Sequence, residues 1–157
     1  MHLKIGDKAP GFKLISSERK EVKLEDFAGK NLVILFFPFA FTSTCTKELC
    51  SVRDEIAVYN SVNAEIIAVS IDTHYTLAKY KAEQNLNFSM LSDFNKDMST
   101  AYGSLYEVYG LGNMRGVSKR SAFVVDKDGI IQYAEVLENA SEIPNLQTVK
   151  ETLTRLA

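Results

Sequence analysis

With 157 residues, 46% of them hydrophobic and 24% charged, the chain has the make-up of an ordinary soluble protein with one real core. A net charge of −2 gives no footing for nucleic acid or an anionic membrane as partner, and two cysteines cannot staple a chain this long as a disulfide framework. The longest apolar stretch, around 32–41, is interrupted by Pro38 and too short to span a bilayer, and MHLKIGDKAP lacks the apolar run of a secretory signal, so a cytoplasmic location is the expectation.

No internal repeat, low-complexity segment or linker divides the chain, and residues 1–157 are read as one domain. Gly6, Pro10 and Gly11 argue against a helix at the start. Residues 12–15 and 21–24 flank a polar turn and predict a small hairpin. The run 31–37 is apolar throughout, as a strand buried on both faces should be, and Pro38 ends it because proline has no N–H for a sheet ladder. Thr42, Ser43 and Thr44 are of the types that cap a helix. A helical pattern follows over about 43–60, with Leu49, Val52, Ile56 and Tyr59 on one face.

A second buried strand, 64–71, makes this a strand–helix–strand unit, which should be parallel and right-handed. Asp72 or Thr73 then caps a helix reaching Gln84, with Leu77, Ala78 and Tyr80 as packing residues. A short strand at 88–91 and a short helix from Asn95 to about 102–103 come next. Residues 104–119, with glycines at 110, 112 and 116, read as an irregular loop long enough to suggest function. Strands 121–126 and 129–136 join through Asp126-Lys127-Asp128-Gly129, a hairpin signal, and Pro144 opens a last amphipathic helix with Leu146, Val149, Leu153 and Leu156 inward. A parallel βαβ half followed by an antiparallel ββα half is an α/β, thioredoxin-like arrangement: a central mixed β-sheet flanked by helices.

This order places Cys45 in the first turn of a helix, just past the C-terminal end of a buried strand, where chemistry sits in open α/β sheets. A cysteine attacks as thiolate, and a helix N-terminus or a neighbouring arginine favours that form. Lowering any thiol's pKa from about 8.5 to about 6 raises its thiolate fraction at pH 7 only about 30-fold, and enzymes reach about 10⁶-fold or more. Ionisation alone is therefore too little; the remainder must come from aligning a substrate and stabilising charge as a bond breaks. The plain alternative for Cys45 is an inert buried cysteine.

Pro38, Thr42 and Cys45 form P-x-x-x-T-x-x-C. With GDKAPGFKL at 6–14, AYG at 101–103 and RSAFVVDKDGIIQ at 120–132, in that order, the chain resembles the peroxiredoxins, thiol peroxidases on a thioredoxin-like fold with an N-terminal extension. The nearest types are the peroxiredoxin Q (bacterioferritin comigratory) and alkyl hydroperoxide reductase E groups. The resemblance implies that Cys45 attacks hydrogen peroxide or a small organic hydroperoxide, that Thr42 contacts it and that Pro38 shields the thiol from water. Arg120 matches the family's R-x-x-F-V-V, which Arg115 and Lys119 do not. Its guanidinium, at the start of a late strand, would stay charged and suit both thiolate and peroxide; surface solvation is the alternative.

Cys50 resembles the resolving cysteine of peroxiredoxin Q proteins, closing an intramolecular disulfide that thioredoxin or a similar dithiol reopens. The alkyl hydroperoxide reductase E type lacks it, so resolution by an external thiol, with Cys50 a packing residue, stays open. So does a non-enzymatic redox-sensing module built on the same sulfenic acid. Glu48 either orients Arg120 or is an exposed helix glutamate. Phe39, Phe41, Tyr106 and Tyr109 could line a substrate or dimer surface or the core, leaving monomer or homodimer open. Both cysteines with His2 and His74 would make poor metal spacing, no C-x-x-C is present, and no phosphate, nicotinamide or flavin fingerprint appears, so no metal and no cofactor are expected.

Overall fold

The computed structural model describes residues 3–157. In chain order these form β1 (Lys13–Ser16), β2 (Glu21–Lys23), a 3₁₀ turn (Leu24–Phe27), β3 (Asn31–Phe36), α1 (Ser43–Asp54), α2 (Ile56–Ser61), β4 (Ala64–Ser70) and α3 (His74–Gln84). Then come β5 (Ser89–Ser92), α4 (Asp97–Ala101), β6 (Leu105–Tyr106), β7 (Val117–Ser118), β8 (Ser121–Val125), β9 (Ile131–Val136) and α5 (Leu146–Leu156).

The seven-stranded sheet has the order β2-β1-β5-β4-β3-β8-β9. β3, β4 and β5 are parallel neighbours, while β8 and β9 on one side and β1 and β2 on the other run antiparallel. This is the mixed, thioredoxin-like sheet that the strand and helix order predicts, with β1 and β2 from the N-terminal extension added at the far edge.

The uniform apolar run of β3 is explained by its central place: side chains alternate between two cores. Val33, Leu35 and Phe37 meet Leu49, Val52 and Tyr59 of α1 and α2, Leu77 and Tyr80 of α3, and Val149 and Leu153 of α5. Leu32, Ile34 and Phe36 meet Phe123 and Val125 of β8, Met98 of α4, Tyr102, and Phe12 of the extension. The end of β3 pairs with the start of β8 at Phe36 and Ser121, which brings the segments after Phe36 and before Ser121 to the same end of the sheet.

Several boundaries differ from the sequence reading. The helix expected over 43–60 breaks at Glu55, whose backbone (φ −110°, ψ 19°) leaves helical geometry. No glycine or proline marks the break; at this point the Glu55 carboxylate meets Lys150 of α5 at 2.6 Å. Thr73, not Asp72, caps α3, accepting from the Thr76 N–H, and Ala78 is exposed while Leu77 and Tyr80 are buried. α4 begins at Asp97 rather than Asn95, because Asp93 from upstream takes the Met98 and Ser99 N–H groups. Asn145, not Pro144, caps α5 through the Thr148 N–H. The loop 104–119 is not wholly irregular: its two ends pair as β6 and β7, with Tyr106 opposite Val117.

Candidate active site

The site is built where β3 ends and β8 begins. Phe37 is held in line with the sheet by Val69, its N–H donating to that carbonyl at 3.0 Å. The chain then turns through buried Pro38. Asp72, just beyond the end of β4, fixes the turn: its carboxylate accepts from the Ala40 N–H at 2.8 Å and from the Ser70 hydroxyl at 2.7 Å. Phe41 sits in the left-handed region at φ 70°, a strained place for an aromatic residue, and is 49% exposed. Its ring packs on Tyr80 at 5.0 Å between centroids.

Thr42 occupies the N-cap position of α1, but its hydroxyl does not cap. It points back and donates to the Phe39 carbonyl at 3.0 Å. The first N–H groups of a helix have no partner within it, so the start of α1 offers donors beside the thiol. Cys45, in this first turn, is fully buried, and Arg120 Nη2 donates to its Sγ at 3.1 Å.

Arg120 is the hub. It stands at the start of β8, only 1% exposed, and each part of its fork has a separate partner. Nη2 serves Cys45, Nη1 serves Glu48 Oε1 at 2.8 Å, and Nε serves the Ala140 carbonyl at 2.8 Å. Its main chain is held too. The Arg120 N–H donates to the Tyr106 hydroxyl at 3.4 Å, and that hydroxyl donates to the Leu137 carbonyl at 2.9 Å. A planar cation bound on three sides cannot swing away, so the geometry is set before any substrate arrives. Burial works against its charge, but Cys45 and Glu48 outweigh it and hold the guanidinium above its usual value.

Glu48 is buried, not an exposed helix residue, and it faces Arg120 across a 2.8 Å ion pair. Its second oxygen, Oε2, has no hydrogen-bond partner. Burial pushes its carboxyl from the ordinary 4.5 up to about 7, with Arg120 pulling the other way and Glu135 adding to the rise. A raised carboxyl pKa means that the folded state holds the proton more tightly. Stability from this group is full below the ordinary carboxylate range and is lost as pH rises through about 7. Glu48→Gln keeps an oxygen for Arg120 and removes the titration. Denaturant midpoints between about pH 5 and 8 should fall with pH less steeply in the variant than in the wild type. Parallel slopes would assign the titration to another group.

A cavity of about 430 Å³ opens above this floor, lined by Thr42, Ser43, Thr44, Tyr109, Arg120 and Ala140 among others. Tyr109 stacks against Phe39 at 5.8 Å and against Tyr106 at 5.6 Å. Of the four aromatic residues left open by the sequence, Tyr106 and Tyr109 line this cavity, Phe39 packs on Tyr109, and Phe41 packs on Tyr80.

A family model for AhpC/TSA proteins matches residues 5–134. The chain belongs to the AhpC/TSA family. It is 37% identical over 131 residues to a Mycobacterium tuberculosis protein named as a peroxiredoxin, covering 83% of each. It is 36% identical over 155 residues to the mitochondrial thioredoxin-dependent peroxide reductase of Bos taurus, covering 92% of this chain but 56% of that one. The chain thus spans little more than half the length of the bovine relative. The crystal structure of the peroxidoxin BcpB from Mycobacterium tuberculosis superposes with a TM-score of 0.87 at 25% identity, over 99% of both chains.

Of the residues picked from the sequence, this AhpC/TSA chain brings Thr42, Cys45, Glu48 and Arg120 together, with Pro38 buried at the preceding turn. Cys50 lies apart: five residues along α1, half-buried, with its thiol donating to the Gln84 side-chain oxygen at 3.6 Å. Both thiols are free. Arg115 is exposed, and Lys119 pairs with Glu138 at 2.6 Å. His74 packs on Tyr75 at 4.0 Å, and His2 lies outside the described residues. Among the described residues no three of His, Cys, Asp and Glu gather at one point, and no helix is long and apolar enough to cross a membrane.

Asp72, Tyr106 and the Ala140 carbonyl are the site residues that sequence reasoning missed in these roles. Asp72 had a competing use as a helix cap, Tyr106 acts through a main-chain contact, and a carbonyl carries no side-chain signature.

Proposed function

We propose that the chain is a thiol-dependent peroxidase, reducing hydrogen peroxide and organic hydroperoxides through Cys45. The observation that carries this is the 3.1 Å contact of Arg120 Nη2, whose residue lines an open cavity, with the Sγ of the buried Cys45 behind it. The Cys45 thiolate attacks one peroxide oxygen, the S–O bond forms as the O–O bond breaks, and the other oxygen leaves as water or alcohol once protonated. Arg120 faces the sulfur and the charge that builds on the peroxide, which is where a fixed cation lowers a barrier. The start of α1 supplies N–H donors on the same side, and Thr42 lines the cavity where a peroxide hydroxyl would lie.

The Cys45 sulfenic acid then condenses with the Cys50 thiol, releasing water and forming a disulfide. A dithiol such as thioredoxin reduces it; the name of the bovine relative, a thioredoxin-dependent peroxide reductase, supports that choice. Peroxide consumption coupled to thioredoxin and its reductase tests the reading. A peroxidase continues far past one equivalent per chain, whereas a redox sensor stops there, and stalling at one equivalent would refute the enzyme.

A further inference from the structure

The fastening of α1 to α3 has no part in the attack on peroxide. It consists of four hydrogen bonds from three positions along α1, the last of them to Asn87 just beyond α3. Thr46 and Tyr80 share a hydrogen bond of 2.8 Å between their hydroxyls. The Cys50 thiol donates to the Gln84 side chain. Arg53 Nη1 donates to the Gln84 main-chain carbonyl at 2.6 Å, and the Arg53 carbonyl accepts from Asn87 Nδ2 at 3.3 Å. The Gln84 carbonyl is among the last of α3, which have no partner within their own helix, and a guanidinium suits that negative end.

Residues five apart in an α-helix have Cα atoms about 8.6 Å apart on different faces. A disulfide needs them within about 6.8 Å. α1 must open between Cys45 and Cys50 before the bond can form, and the Arg53–Gln84 contact opposes that opening at its far end.

We propose that Arg53, bonded to the end of α3, is a positioning residue that holds Cys50 back and so sets how long the Cys45 sulfenic acid waits. This rests on the peroxidase reading. Two reactions compete during the wait. Condensation with the Cys50 thiol gives the disulfide and water. Attack on a second peroxide gives the sulfinic acid and water or alcohol, which a dithiol does not reverse. Slow opening favours the second, so the catch fixes the peroxide level at which the protein is lost to over-oxidation.

The test uses the whole chain with rapid mixing against hydrogen peroxide, followed by intact mass. Arg53→Met keeps the aliphatic stem and removes the donors. The first step should be unchanged, because Arg53 does not line the cavity. Disulfide formation should quicken about tenfold, the scale of one lost charge-assisted hydrogen bond, and the sulfinic fraction at a given peroxide level should fall by a similar factor. Arg53→Lys, which keeps one charged donor, should lie between, and it keeps the test alive if the first variant folds poorly. An unchanged or slower disulfide step in both variants overturns the catch while wild-type turnover stands. A wild type that never leaves its reduced mass overturns the peroxidase reading, and the catch with it.

Discussion

Cys45→Ser abolishes peroxide consumption and leaves the fold in place. The substitution exchanges one buried atom for a smaller one at the same position, and the serine hydroxyl can still accept from Arg120. Stability should therefore move by no more than about 1 kcal/mol. The chemistry does not survive, because an alcohol near neutral pH offers no anionic nucleophile to an O–O bond. Acceleration of about 10⁶-fold or more is typical of an enzyme, and removing the atom that makes the new bond forfeits it. The coupled assay and a denaturant midpoint on the same sample check both halves. Continued turnover by the variant would remove the mechanism, since Cys50 would then have to be sufficient alone.

Arg120→Ala should cost both activity and stability. The guanidinium is shared by Cys45, Glu48 and the Ala140 carbonyl, so its loss leaves a buried carboxylate without its cation. Breaking a buried pair from one side costs about 3–5 kcal/mol. Burial already raises the Glu48 carboxyl against the pull of Arg120, and without that cation it rises further; the proton it takes up offsets part of the cost, so the loss should be larger at high pH. Activity should fall by about 10²–10³-fold, the usual scale for one preorganised donor at a developing charge.

A pH series of second-order rates with peroxide separates two roles. If Arg120 stabilises the transition state, the fully ionised thiol of the variant remains slow. Recovery of the wild-type rate at high pH would limit Arg120 to ionising the cysteine. Arg120→Lys should rescue little, because one ammonium cannot reach three partners lying in the plane of a fork.

Much of this site is legible in the sequence because its parts follow local rules. The all-apolar run at 31–37 marks a central strand, Pro38 marks its end, and the hydroxyl cluster before Cys45 marks a helix start. The position of Arg120 follows once β8 is known to pair with β3. What is not legible is what long-range contacts decide. The break at Glu55, where Lys150 from nearly a hundred residues away makes its contact, has no local breaker to announce it. Thr42 sits where a cap should be, yet its hydroxyl turns back to Phe39. Glu48 looks like any helix glutamate until Arg120 lies across from it, and its burial is a property of the packed sheet rather than of its neighbours in the chain. The left-handed backbone at Phe41 carries no glycine or asparagine to betray it.

Intact mass after a single equivalent of hydrogen peroxide, on the wild type and on Cys50→Ser, tests most directly that Cys45 is oxidised first and Cys50 resolves it. The wild type should lose two hydrogens, the mark of a disulfide, and regain them with a dithiol. Cys50→Ser should gain one oxygen, the mark of a sulfenic acid held at Cys45. A wild type that keeps the added oxygen, or a Cys50→Ser variant that still loses two hydrogens, would contradict the account.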